Sequence, residues 1–186
     1  MNRSSLLTGQ VLRFTGNPLR EPWEDAVRVD RDAAVLVTDG KIAAVGPAAE
    51  LRARAPDTPV TAYGDALICP GFVDAHVHYP QTAIIASWGK RLIDWLNTYT
   101  FPEEMRLADP AYAADIAARY LDLALDHGTT TVASFCTIHP HSVDAIFEAA
   151  AERGMGIVAG KTCMDRNAPD GLQDVPQSAY EDSKTL

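Results

Sequence analysis

The chain has 186 residues, 47% hydrophobic and 22% charged, which suits a globular protein with a sizeable core and excludes a disordered one. A formal charge of -9, with no stretch gathering Lys and Arg among aromatics, argues against nucleic acid as a partner. The opening MNRSSLLTGQVLRF lacks the apolar run of a signal peptide, and nothing later is apolar for the roughly 20 residues that cross a bilayer. A soluble cytoplasmic protein with no membrane partner is expected. Cys69, Cys136 and Cys163 are odd in number, far apart and set in strand-like sequence, so buried reduced thiols are expected rather than disulfides.

From Thr8 to Asp65 the sequence reads as short strands broken by turns. AAVLVTDGKIAAVG sets Asp39-Gly40 between two β-rich runs, predicting an antiparallel hairpin closed by a two-residue turn with positive φ. Val11-Leu12 before it, and Val60-Thr61 and Ala66-Leu67-Ile68 after it, extend a small β domain. A short helical turn is expected at Ala48 to Ala55, before a loop marked by Pro56 and Pro59.

After Ile68 the pattern changes to strand, loop, helix, strand. Asp109-Pro110 supplies an N-cap and a proline at the first helical position, and Ala113, Ile116, Ala117, Tyr120 and Ala124 recur at helical spacing until Gly128. Thr129 to Ile138 predicts a strand. Pro140 then opens a helix with Val143, Ile146, Phe147 and Ala150 on one face, stopped by Gly154, and Met155 to Lys161 predicts another strand. Gln177 to Leu186 begins as a helix. Such alternation implies an α/β fold with parallel pairing through right-handed crossovers. About three strand-helix units are present, whereas a closed barrel needs eight and roughly 250 residues. The expected organisation is therefore a small β-sandwich-like domain over residues 1–67, then the first part of a (β/α)8 TIM-type barrel over 68–186, cut short before closure.

PGFVDAHVHYPQ, Pro70 to Gln81, carries the chemistry. In a strand, His76 and His78 project from one face, with Asp74 on that face and Val73, Ala75 and Val77 on the other. Two neutral imidazoles so placed can both reach a metal, and Pro80 sets them at the strand's C-terminal end, where α/β barrels build their sites. A catalytic zinc site generally takes three protein ligands, so more must come from elsewhere. His127 suits the end of a helix, where a cation complements the dipole. His139 is either a loop histidine with a structural hydrogen bond or a substrate-side contact, and His141 is expected in solvent. Asp74 either orients a histidine or caps backbone at the start of the strand. Trp88, Trp95, Tyr99 and Phe101 form either an aromatic wall for a flat ligand or a hydrophobic plug. Lys161 ends the third barrel strand by this count, one too early for a metal-bridging carbamylated lysine. Asp165 and Arg166 either close the site or pair at the surface. The deaminase architecture built on His-x-Glu and Pro-Cys-x-x-Cys is excluded, because the chain has no Cys-x-x-Cys.

ICPGFVDAHVH resembles the first barrel strand of the amidohydrolase superfamily, and DGKIAAVG resembles the strand pair of its accompanying β domain. Within that superfamily, HVHYPQ, DWLNTYTFPEE, HGTTTVASF and GKTCMDRNAP, in that order, resemble the guanine deaminase family from about Asp39 to Leu186. The resemblance implies zinc-dependent hydrolysis of guanine to xanthine and ammonia, with one zinc per chain and a homodimeric protein. It implies His76 and His78 as metal ligands and His78, Tyr79, Pro80 and Gln81 as purine contacts, Gln81 offering an amide donor and acceptor together. The family's remaining ligands, its substrate-clamping arginine and its proton-transfer carboxylates would lie beyond Leu186, so no catalytic residue is assigned here. The alternatives are an amidohydrolase acting on cytosine, an adenosine-like purine or a triazine, and a non-catalytic fragment that folds or assembles with a partner.

Overall fold

The computed structural model describes residues 4–89 and 91–186. The chain divides into two compact units, one running to Pro70 and the other from Gly71. The fourth strand of the first unit runs through to Ile68, which pairs with Val11 of the first strand.

In the first unit, β1 (Ser4–Phe14), β2 (Val27–Thr38), β3 (Lys41–Pro47) and β4 (Val60–Ile68) form one mixed sheet in the order β3-β2-β1-β4. The described residues of this unit build that single sheet, where a two-sheet sandwich was expected. Asp39 and Gly40, with φ of 50° and 75°, make the anticipated hairpin turn between β2 and β3. A short α1 (Trp23–Ala26) precedes β2, and α2 (Ala48–Arg54) follows β3. Alternation along the strands gives both faces an apolar cluster. Leu6, Ala34 and Leu36 pack with Leu51 of α2 on one face, and Val11, Ala33 and Val35 gather on the other.

The second unit is built on β5 (Phe72–His78), β6 (Thr129–Phe135) and β7 (Gly156–Gly160), parallel and adjacent in chain order. Gly71 is required just before β5, since a Cβ there would run into Thr130. A 3₁₀ segment (Tyr79–Ile84) follows β5, then a continuous helical stretch made of α3 (Leu92–Trp95), a π-turn (Leu96–Thr100) and α4 (Phe101–Arg106). The crossover continues through α5 (Pro110–Asp126), whose N-cap Asp109 accepts a hydrogen bond from the Ala111 N–H at 2.9 Å. After β6, α6 (Pro140–Arg153) ends at Gly154 in the left-handed conformation. The chain finishes with a 3₁₀ turn (Asp170–Leu172) and α7 (Pro176–Thr185).

Every apolar position foreseen on α5 is buried: Ala113, Ile116, Ala117, Tyr120 and Ala124 join Val132, Val143, Ile146 and Ala150 in one core between helices and sheet. Phe147 of α6 is instead exposed. The opposite face of the sheet is bare, with Val73 and Val158 each about two-thirds exposed. Among the cysteines, all three are free as expected, but only Cys136, directly after β6, is buried in the helix-side core, while Cys69 and Cys163 are exposed. No helix among the described residues is long and apolar enough to cross a membrane.

Candidate functional site

The site is set by a break in the β5–β6 ladder. Asp74 pairs with Val132 and Val77 with Ser134, so three steps along β5 match two along β6 and the extra residue falls at Ala75-His76. Asp74 and Val77 therefore share the helix-facing side with buried Val132, while His78, paired with Phe135, lies on the bare face. The simple alternation expected along β5 fails at this bulge, and Asp74 is not on the histidines' face. Its Oδ1 accepts a hydrogen bond from the His76 backbone N–H at 3.1 Å, satisfying a donor at the bulge. Asp74 thus touches His76 through the main chain, not the ring.

His76 and His78 come together on the bare face. Their ring centroids are 5.5 Å apart, edge to face, and Phe135 stacks on His78 at 4.8 Å. Burial, then the neighbouring His76, pushes the His78 pKa below its ordinary value. Neutral imidazole is the form that ligates a metal, so the lowered pKa of His78 favours ligation of a borderline divalent ion. Among the described residues, no group of three or more His, Cys, Asp or Glu side chains is placed to hold an ion.

Beside the pair lies a cavity of about 320 Å³, lined in part by His76, His78, Gln81, Thr82 and Trp95. Gln81 donates from Nε2 to Glu104 Oε1 at 2.9 Å. Tyr79 and Pro80, the other two residues expected at the purine site, are buried. The Tyr79 ring lies in the helix-side core, its hydroxyl donating to the Ser142 carbonyl at 2.6 Å, because Tyr79 follows His78 on the opposite side of the chain. Its side chain does not reach the cavity.

The remaining histidines serve the scaffold. His127 caps α5 with Nδ1 2.8 Å from the Leu123 carbonyl. His141, expected in solvent, is half-buried with Nε2 2.6 Å from the Leu107 carbonyl, because the start of α6 lies against the segment after α4. His139 is the N-cap residue of α6, stacked on His141, and its buried Nε2 has no hydrogen-bond partner among the described residues. Burial first, then His141, lowers its pKa. Lys161, directly after β7, forms a buried ion pair with Asp174 at 3.0 Å. Asp165 and Arg166 pair at the surface. Of the aromatics after β5, Trp95 lines the cavity and donates to Ser87 Oγ, Phe101 is buried, and Trp88 is largely exposed. Trp88 and Tyr99 line a second, separate hollow. Glu104 went unassigned by sequence reasoning, since Pro-Glu-Glu near a helix start looks like ordinary first-turn acid.

Residues 67–186 match the model of the Amidohydrolase family, and residues 33–57 that of an imidazolonepropionase-like composite domain of bacteria. Guanine deaminase of Escherichia coli (strain K12) is 44% identical over 177 residues, covering 95% of this chain and 40% of the relative. The solved structure of the E. coli guanine deaminase matches with a TM-score of 0.89 at 41% identity, over 98% of this chain and 43% of that one. Guanine deaminase from C. acetobutylicum, solved with guanine in its active site, matches at 0.81 and 31% identity, over 98% and 42%. An adenosine deaminase from Xanthomonas campestris with bound zinc, 22% identical with a TM-score of 0.66 over 95% and 37%, shares the fold. The chain spans about two-fifths of the length of the curated guanine deaminase it matches. With the family model covering everything from Leu67 to Leu186, the chain belongs to the amidohydrolase family.

Proposed function

We propose that this chain is part of a protein that hydrolyses guanine to xanthine and ammonia, and that it supplies two metal ligands and one wall of the purine site. The observation that carries the reading is the pairing of His76 and His78 on the open face beside the Gln81 cavity, in a chain 44% identical to a guanine deaminase. On this reading β5 to β7 are the first three strands of a (β/α)8 barrel and the first unit contributes one sheet of its small β-sandwich-like domain. The open face is then the inside of the barrel, and the C-terminal end of β5 faces the active site.

His76 and His78 would hold zinc, with the remaining ligands from outside this chain. When bound, zinc supplies the Lewis acidity that brings the pKa of water down to roughly 7. Gln81 offers an acceptor and a donor to a matching pair on the purine edge. Trp95 and the Phe135-stacked His78 bound the space with flat surfaces that suit a heterocycle. In the net reaction a water oxygen replaces the exocyclic amine at the amidine carbon, and the amine leaves with a proton as ammonia. Glu104 is already engaged by Gln81 and is not assigned that proton. The same reading takes the whole protein as a cytoplasmic homodimer with one zinc per chain.

Steady-state kinetics of the whole protein on guanine, cytosine, adenosine and a triazine test the substrate. Guanine is expected to have the highest kcat/KM. A tenfold or greater preference for another member of the panel would overturn the assignment.

A further inference from the structure

Glu103 and Glu104 are neighbours on α4, and both are buried, at 5% and 6% exposure. Glu103 is accounted for: it forms an ion pair with Arg106 at 2.9 Å and accepts a hydrogen bond from the Tyr112 hydroxyl. Glu104 has no such company. Among the described residues its carboxylate meets one side chain, the Gln81 amide, and no cation. A buried carboxylate without a counter-ion is costly, and leucine at such a position would pack at no charge penalty. The backbone is also unusual here, since the π-turn directly before α4 adds a residue to one helical turn and so rotates the succeeding turns by about 100°.

What the contact does is fix an amide. A glutamine in a cavity can rotate by half a turn and exchange its donor and acceptor ends at little cost. The Gln81 nitrogen faces Glu104 and its Oε1 points away from it, an order that a carboxylate oxygen, as an acceptor, holds. One N–H and one carbonyl oxygen remain, in a set order, for whatever occupies the cavity shared with His76 and His78.

We propose that Glu104 is a positioning residue that locks the Gln81 amide in one orientation and thereby sets the order of donor and acceptor presented to the substrate. This rests on the cavity being a heterocycle site. The Glu104–Gln81 pair then selects between heterocycles whose neighbouring acceptor and donor stand in opposite order, because the wrong order meets donor with donor.

A double-mutant cycle in the whole protein tests it, with Glu104→Leu, Gln81→Ala and the double variant assayed on whichever heterocycle the parent turns over fastest. Glu104→Leu is expected to lower kcat/KM about tenfold, mostly through KM, the size of one lost charge-assisted bond. It should leave the melting temperature unchanged or raised. In the Gln81→Ala background the same change should have no further effect, and Glu104→Gln, which keeps an acceptor, should recover part of the loss. A tenfold loss that persists in the Gln81→Ala background, or unchanged kinetics in Glu104→Leu, would overturn the proposal. A parent that prefers a heterocycle other than guanine corrects the substrate while leaving the coupling readable, and a parent that turns over none of the panel removes both readings.

Discussion

At Ala75-His76 one extra residue in β5 determines what the imidazoles face. Without it, continuing the register of Asp74 with Val132 would bring His76 and His78 to the helix side, among Val132 and Ile146. With it they stand on the open face, and Asp74 serves the bulge amide. A second residue-scale consequence concerns pH. Burial raises the Glu104 carboxyl above its ordinary 4.5, and the Gln81 bond only partly opposes this. The native state then binds this proton more tightly than the unfolded chain does. The contribution of Glu104 to stability is therefore most favourable below about pH 4.5 and is lost as pH rises through the native value. Thermal denaturation of Glu104→Leu beside the parent is expected to show a larger gain at pH 8 than at pH 4.5. An equal shift at both would contradict the burial argument.

Among the elements, β7 and the segment behind it are tied by the Lys161–Asp174 pair, with side chains 1% and 8% exposed. Removing one partner leaves the other charge buried and alone, so Asp174→Ala is expected to cost about 3–5 kcal/mol in denaturant unfolding. Replacing both with Met and Leu is expected to cost less, and equal losses for single and double variants would argue against a desolvated pair. How far such elements were legible depends on the kind of information each needs. The Asp39-Gly40 hairpin, the Asp109-Pro110 start of α5 and the stop at Gly154 are local chemistry, and the structure has them where the sequence puts them. The β5 bulge, the burial of Tyr79 and the ion pair of Lys161 depend on register and on residues far along the chain. The π-turn at Leu96–Thr100 has no composition signal, and without it Glu104 looks like a surface acid.

At the scale of the molecule, a three-stranded parallel sheet covered by helices on one face leaves Val73 and Val158 bare on the other, with both β5 and β7 as open edges. A closed barrel would cover that face, and the matching family relatives are more than twice as long as this chain. The parallel α/β sheet of the second unit is legible in the sequence as alternating strand-helix units, which needs only periodicity. The histidine pair is legible through its spacing, whereas the facing of Asp74 depends on the ladder. The claim beneath all of this is that His76 and His78 share one ion. Elemental analysis of the whole protein beside His76→Ala and His78→Ala addresses it without any assay of turnover. About one zinc per chain is expected in the parent, with most of it lost from both variants. Full zinc content in either variant would contradict the shared site.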